Sequence, residues 1–148
     1  MRICVIDGQG GGIGSVIIKH LKDAFGESIE IIALGTNAIA ATQMLKARAN
    51  RGASGENAIV RTVVDVDIII GPIGIVLANS MMGEITSKMA EAIASCAARK
   101  FLLPLTQEPV EIVGTTPAPL PHLMDLLIKE RLKRLMKERG ECVKQTHI

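Results

Sequence analysis

Residues 7 to 14 read Asp-Gly-Gln-Gly-Gly-Gly-Ile-Gly, directly after the apolar run Ile3-Cys4-Val5-Ile6 and before Ser15-Val16-Ile17-Ile18. A strand, a glycine loop and a helix start in that order form a seat for phosphate. Glycines there accept the positive φ of a tight turn and let the backbone approach a ligand closely. The first amides of the helix face outward without partners, at the positive end of its dipole. The candidate ligand-binding residues are therefore Gly8, Gln9, Gly10, Gly11, Gly12, Ile13, Gly14 and Ser15, the last through its hydroxyl. A tight turn without a ligand is the alternative. Gly12→Val is expected to abolish binding at a modest cost in stability, through blockage of the seat and strain at a positive φ.

A dinucleotide site usually offers an acid after the second strand, for the ribose hydroxyls. The segment here is Leu34-Gly35-Thr36-Asn37. Asn37 can hydrogen-bond a ribose, and without an acid nothing repels a 2′-phosphate, yet no nearby arginine grips one. Helix capping by Thr36 or Asn37 is the competing role. A second turn, Gly71-Pro72-Ile73-Gly74, is followed by Asn79, Ser80 and Gly83. Ligands of open α/β sheets bind outside the carboxyl ends of the strands, where strand order reverses. Gly71, Pro72, Ile73 and Gly74 therefore join the candidate set. Met81 and Met82 either line the pocket or an interface, or serve ordinary packing. Glu84 is the best-placed general base, with surface or capping use as the alternative. His20, His122 and His147 are scattered, no metal spacing exists, and no catalytic set follows.

The elements that must position these residues alternate between apolar runs and helical patterns. That alternation predicts an α/β fold, a single Rossmann-like domain over residues 1–139 with a flexible tail over 140–148. Strands are expected at 2–6, 29–34, 58–60, 67–71 and 101–105, with a short edge strand at 111–114. Helices are expected at 13–25, 38–49, 87–98 and 122–139, and the sheet is mainly parallel in order 3-2-1-4-5. Asp7 is expected to brace the loop through local amides. The last helix is amphipathic, with its apolar positions on one face.

Over 148 residues the chain is 48% hydrophobic with a mean hydropathy of +0.34, enough for one sizeable core. It has only Phe25 and Phe101 as aromatics, so aliphatics and methionine must fill that core. The apolar excess favours a homo-oligomer, in which a dimer buries part of the stripe Leu123, Leu127, Leu132 and Leu135. A net charge of +2 argues against bulk attraction to nucleic acid or a membrane. The basic last helix has no aromatic beside it to stack a base, which makes RNA an improbable partner. Cys4, Cys96 and Cys142 are far apart and odd in number, which fits a reduced, cytoplasmic setting. No apolar stretch reaches membrane-spanning length, and the N-terminal apolar run is too short for a signal peptide.

The loop resembles the fingerprint of short-chain dehydrogenases, since Gly8, Gly12, Ile13 and Gly14 match Gly-x-x-x-Gly-Ile-Gly. That resemblance covers about the first 37 residues and implies NAD or NADP as cofactor. Two residues depart from it. Asp7 stands where that family usually has a neutral residue, and the chain contains no tyrosine for a Tyr-x-x-x-Lys pair. Across residues 1 to 128, five segments are similar to a family of small bacterial proteins catalogued as of unknown function. They are Asp7–Gly14, Ala33–Ala38, Gly55–Ile59, Gly71–Gly74 and Asn79–Glu84. That similarity implies one domain and no particular activity. A nucleotide- or dinucleotide-binding or sensing protein is the expected function. The alternatives are a small oxidoreductase or transferase completed by a second subunit or partner, and a ligand-free interaction module.

Overall fold

Odd and even positions of the central strands divide the apolar residues between two faces of one sheet, as the period-two geometry of a strand requires. Ile3, Val5, Ile31, Ala33, Ile68 and Ile70 face one layer, and Cys4, Ile6, Ile32, Leu34 and Ile69 face the other. The computed structural model describes residues 1–140; Cys142, His147 and nearly all of the expected flexible tail lie outside the described residues. Among the described residues the five strands are β1 (Arg2–Asp7), β2 (Glu30–Gly35), β3 (Arg51–Ser54), β4 (Ile68–Pro72) and β5 (Arg99–Leu103). All pairs are parallel and the order is β3-β2-β1-β4-β5, the predicted topology. The strand order reverses between β1 and β4.

Helices α1 (Gly12–Phe25) and α2 (Ala38–Lys46) cover the first face together with a C-terminal helix. That helix runs as α5 (Leu120–Asp125), a π-helical stretch (Leu126–Leu132) and α6 (Lys133–Glu138). Leu127 and Leu132 are five residues apart, and the wider π turn keeps both on the buried side. Helices α3 (Glu56–Thr62) and α4 (Ser87–Ser95) cover the second face.

Four expectations are corrected. The third strand is Arg51–Ser54, not 58–60. All four of its residues are exposed, so no apolar signal marks it, and it pairs in parallel with β2. Ala58-Ile59-Val60 belongs to α3, since a short apolar run cannot tell strand from buried helix. The fifth strand ends at Leu103 because Pro104 has no N–H to continue the ladder. Residues 111–114 form no strand and stand exposed. The stripe Leu123, Leu127, Leu132 and Leu135 is buried within the chain's own core, which removes the surface assigned to a dimer. Among the described residues no helix is long and apolar enough to cross a membrane.

Candidate functional site

At the carboxyl end of β1 the chain turns sharply into α1. Gln9 and Gly11 take positive φ, and the Gly11 amide donates to the Gly8 carbonyl at 2.9 Å. Asp7, nearly fully buried, holds this turn as expected. Its carboxylate accepts from the amides of Gly8 at 2.8 Å and Gly14 at 2.7 Å. Burial pushes its pKa above the ordinary carboxylate value, and the Gly14 and Gly8 amides oppose that shift. Part of the anion seat is therefore filled by the protein's own carboxylate. The Ser15 hydroxyl donates back to the Gly11 carbonyl at 2.7 Å, so its proton is committed within the helix.

The glycines of this loop separate into two groups. A Cβ on Gly8 would lie 2.6 Å from both Met81 Sδ and Thr36 Oγ1, and one on Gly14 would lie 2.5 Å from Met44 Sδ. Gly11 has φ +71°, and a Cβ there would meet the Ala40 backbone at 2.8 Å. Packing and turn geometry account for these three. Around Gly10 and Gly12 nothing lies within 4 Å of a built Cβ, and neither φ is in the left-handed region. The strain expected for Gly12→Val is thus absent. Both residues are exposed, and neither amide donates to a protein acceptor among the described residues.

Beside the loop, outside the ends of β1, β4 and β5, lies a cleft of about 560 Å³. Asp7, Gln9 and Ile13 form one wall and Pro72 and Gly74 the floor near β4. Asn79, Met81, Met82 and Gly83 overhang it. Asn79, Met81 and Met82 all take positive φ without being glycine, a concentration of backbone strain of the kind found at binding sites. The buried Ser80 hydroxyl ties this overhang to the Gly74 carbonyl. Gly71 does not line the cleft, and its missing Cβ is required by the Ile6 carbonyl of β1, 2.5 Å away. Ile73 faces a second, adjoining cavity of about 370 Å³ under residues 104–118. The far wall of the main cleft, Leu105 to Glu108, was missed from sequence because Leu105 read as a strand residue. A proline after the last strand at the carboxyl edge was the available signal. Glu108 Oε1 accepts the Met81 amide at 3.2 Å, joining the two loops.

Thr36 and Asn37 meet Glu84 on the other side of the glycine loop. Asn37 is the cap of α2, its Oδ1 accepting from the Ala40 amide at 2.8 Å. Its Nδ2 donates to the Gln9 carbonyl at 3.0 Å and to Glu84 Oε1 at 2.6 Å. Thr36 Oγ1 donates to the same oxygen at 2.6 Å, and the Gln9 amide does so at 3.0 Å. Desolvation pushes the Glu84 pKa up, but the bonds from Thr36, Gln9 and Asn37 outweigh it and leave it below its usual value. A carboxylate held charged in this way is a weak base, and Glu84 does not line the cleft. Among the described residues no cluster of three or more His, Cys, Asp or Glu side chains could hold a metal ion.

The family described as Domain of unknown function (DUF3842) matches residues 2–136, nearly the whole chain. The chain belongs to this family. The matched segment contains the glycine loop, the Gly71–Gly74 turn and the Asn79–Glu84 overhang. No curated protein matches the chain. Among solved structures, a dodecameric FMN-dependent UbiX-like decarboxylase from Escherichia coli O157:H7 aligns over 100% of this chain and 99% of its own. The identity is 13% and the TM-score 0.46, a likeness that carries no argument about ligand or assembly.

Proposed function

We propose that this protein binds a phosphate-bearing nucleotide, best fitted by a dinucleotide such as NAD or NADP. The phosphates rest at the glycine loop, on the amides of Gly10 and Gly12. One half of the ligand enters the 560 Å³ cleft, and the other passes over the end of β2. The observation that carries this reading is that Gly10 and Gly12 are glycines the fold does not require. Their exposed, unclaimed amides stand at the positive end of a helix of 14 residues. The cleft has a size ordinary for small-molecule sites, about 300–1,000 Å³. Ile13, Met81 and Leu105 offer apolar faces to a flat ring, while Gln9, Asn79, Thr106 and Gln107 offer hydrogen bonds.

Binding or sensing fits the site better than catalysis. Among the described residues the titratable groups that line the cleft are Asp7 and Glu108. Both Asp7 oxygens already accept backbone amides, and one Glu108 oxygen holds Met81. Native mass spectrometry of the purified chain, followed by calorimetric titration with NAD, NADP, ATP and pyrophosphate, tests the proposal. Saturable binding of a nucleotide is expected. Absence of binding for every one of these compounds refutes it.

A further inference from the structure

The sequence after β2 contains no acid, but the fold delivers one there. Glu84 lies 48 positions beyond Thr36 in the chain, yet its Oε1 takes hydrogen bonds from Thr36, Asn37 and the Gln9 amide. Three donors on one oxygen fix the carboxylate in place, at the carboxyl end of β2 and beside the phosphate loop. The second oxygen, Oε2, has no protein partner among the described residues. Among the described residues no buried side-chain oxygen lacks a partner, so Oε2 is open to solvent. We propose that Glu84 is the specificity residue of the site, its Oε2 accepting the ribose hydroxyls of the bound nucleotide. This rests on the nucleotide reading given above.

The chemistry follows from the position. An open α/β site places an acid at the end of its second strand to accept from the ribose 2′-hydroxyl. Here a residue from the loop after β4 fills that place, anchored by the two β2-end side chains that replace the acid. Anchoring matters because a free glutamate must lose rotamer freedom to bind, and this one has already done so. Ile39, two residues past Asn37, is 67% exposed at the start of α2 and offers an apolar surface for a base. A fixed negative charge here favours a ribose diol. It disfavours a 2′-deoxyribose, which leaves the acceptor unmatched, and repels a 2′-phosphate. The protein therefore selects NAD over NADP and ribonucleotides over deoxyribonucleotides.

Calorimetry on the full chain and on Glu84→Gln, with pyrophosphate, ADP, 2′-deoxy-ADP, NAD and NADP, separates this proposal from the reading it rests on. Wild type is expected to prefer ADP over 2′-deoxy-ADP by about ten- to a hundredfold, the span of one charge-assisted hydrogen bond. A preference for NAD over NADP is expected alongside it. Glu84→Gln should lose most of both preferences. If wild type binds pyrophosphate and ADP without discriminating the deoxy compound, or if discrimination survives in Glu84→Gln, Glu84 only braces the loop and this proposal falls alone. If neither pyrophosphate nor any nucleotide binds, the nucleotide reading falls with it. Should Glu84→Gln not fold, a wild type that binds ADP and 2′-deoxy-ADP equally still overturns the proposal.

Discussion

Gly12 separates a ligand loop from a mere turn, because the structure assigns it no role in the fold. It is the first residue of α1, its φ lies outside the left-handed region, and a Cβ would meet nothing within 4 Å. Alanine there removes the conformational freedom that glycine gives the unfolded chain, a gain of about 0.5–1 kcal/mol. For a domain of this size that raises the melting temperature by about 1–4 °C. Valine forfeits part of the gain through its stiff χ1 but meets no obstacle. The neighbours behave oppositely. Alanine at Gly14 drives its Cβ to 2.5 Å from Met44 Sδ and 2.9 Å from Asp7 Cβ. Overpacking of that kind costs about 1–3 kcal/mol. Alanine at Gly11 adds a left-handed φ to a clash with the Ala40 backbone, which has no side-chain freedom to move aside. The expected stability order is therefore Gly12→Ala at or above wild type, then Gly11→Ala and Gly14→Ala well below. Binding should reverse this for Gly12→Val, whose branched carbons fill the space a phosphate must occupy, with pyrophosphate affinity reduced at least about tenfold. Thermal melts and calorimetry on the four variants check both orders. If folded Gly12→Val binds pyrophosphate as wild type does, the loop is only a turn. If Gly12→Ala melts several degrees lower, the reasoning about its open surroundings is wrong.

Two further outcomes follow from the core and from the buried acid. Leu132→Ala, at a fully buried position, should lower stability by about 2–5 kcal/mol in urea titrations while the mass by light scattering stays that of wild type; a change in assembly with little loss of stability would return the stripe to an interface. Asp7 has a folded pKa raised by burial, so the stability tied to its protonated form is full below its unfolded pKa and lost as pH rises through the folded one. The difference in urea midpoint between wild type and Asp7→Asn should thus fall with rising pH across that window. A difference that grows with pH would mean that the amides of Gly14 and Gly8 outweigh burial.

The part of this molecule legible from sequence is the part written in local periodicity. Ile3 to Ile6 and Ile68 to Ile70 are apolar on both faces, which marks them as central strands, and the intervening helical patterns fix parallel connections and hence the sheet order. Strand ends then point to the loops beyond them, and Gln9, Ile13, Pro72, Gly74, Asn79 and Gly83 of those loops line one cleft. β3 was misplaced because an exposed edge strand carries no hydrophobic signal, and the wall at Leu105 to Glu108 because one proline, not an apolar pattern, ends β5. The packing roles of Gly71 and Gly14 are not legible from sequence for another reason. Which glycines serve the fold depends on what packs against them, the Ile6 carbonyl in one case and Met44 in the other, and spacing does not contain that. Glu84 is the sharpest instance. Read along the chain, the end of β2 offers Thr36 and Asn37 and no charge. Only when the loop after β4 crosses the carboxyl edge do those two side chains acquire Glu84 and the site its negative charge. A search for an acid at a fixed distance from the glycine loop tests the local chain, whereas the ligand meets the assembled edge. A missing acid at the expected position therefore says nothing about ribose recognition until the residues reaching that position from other loops are counted.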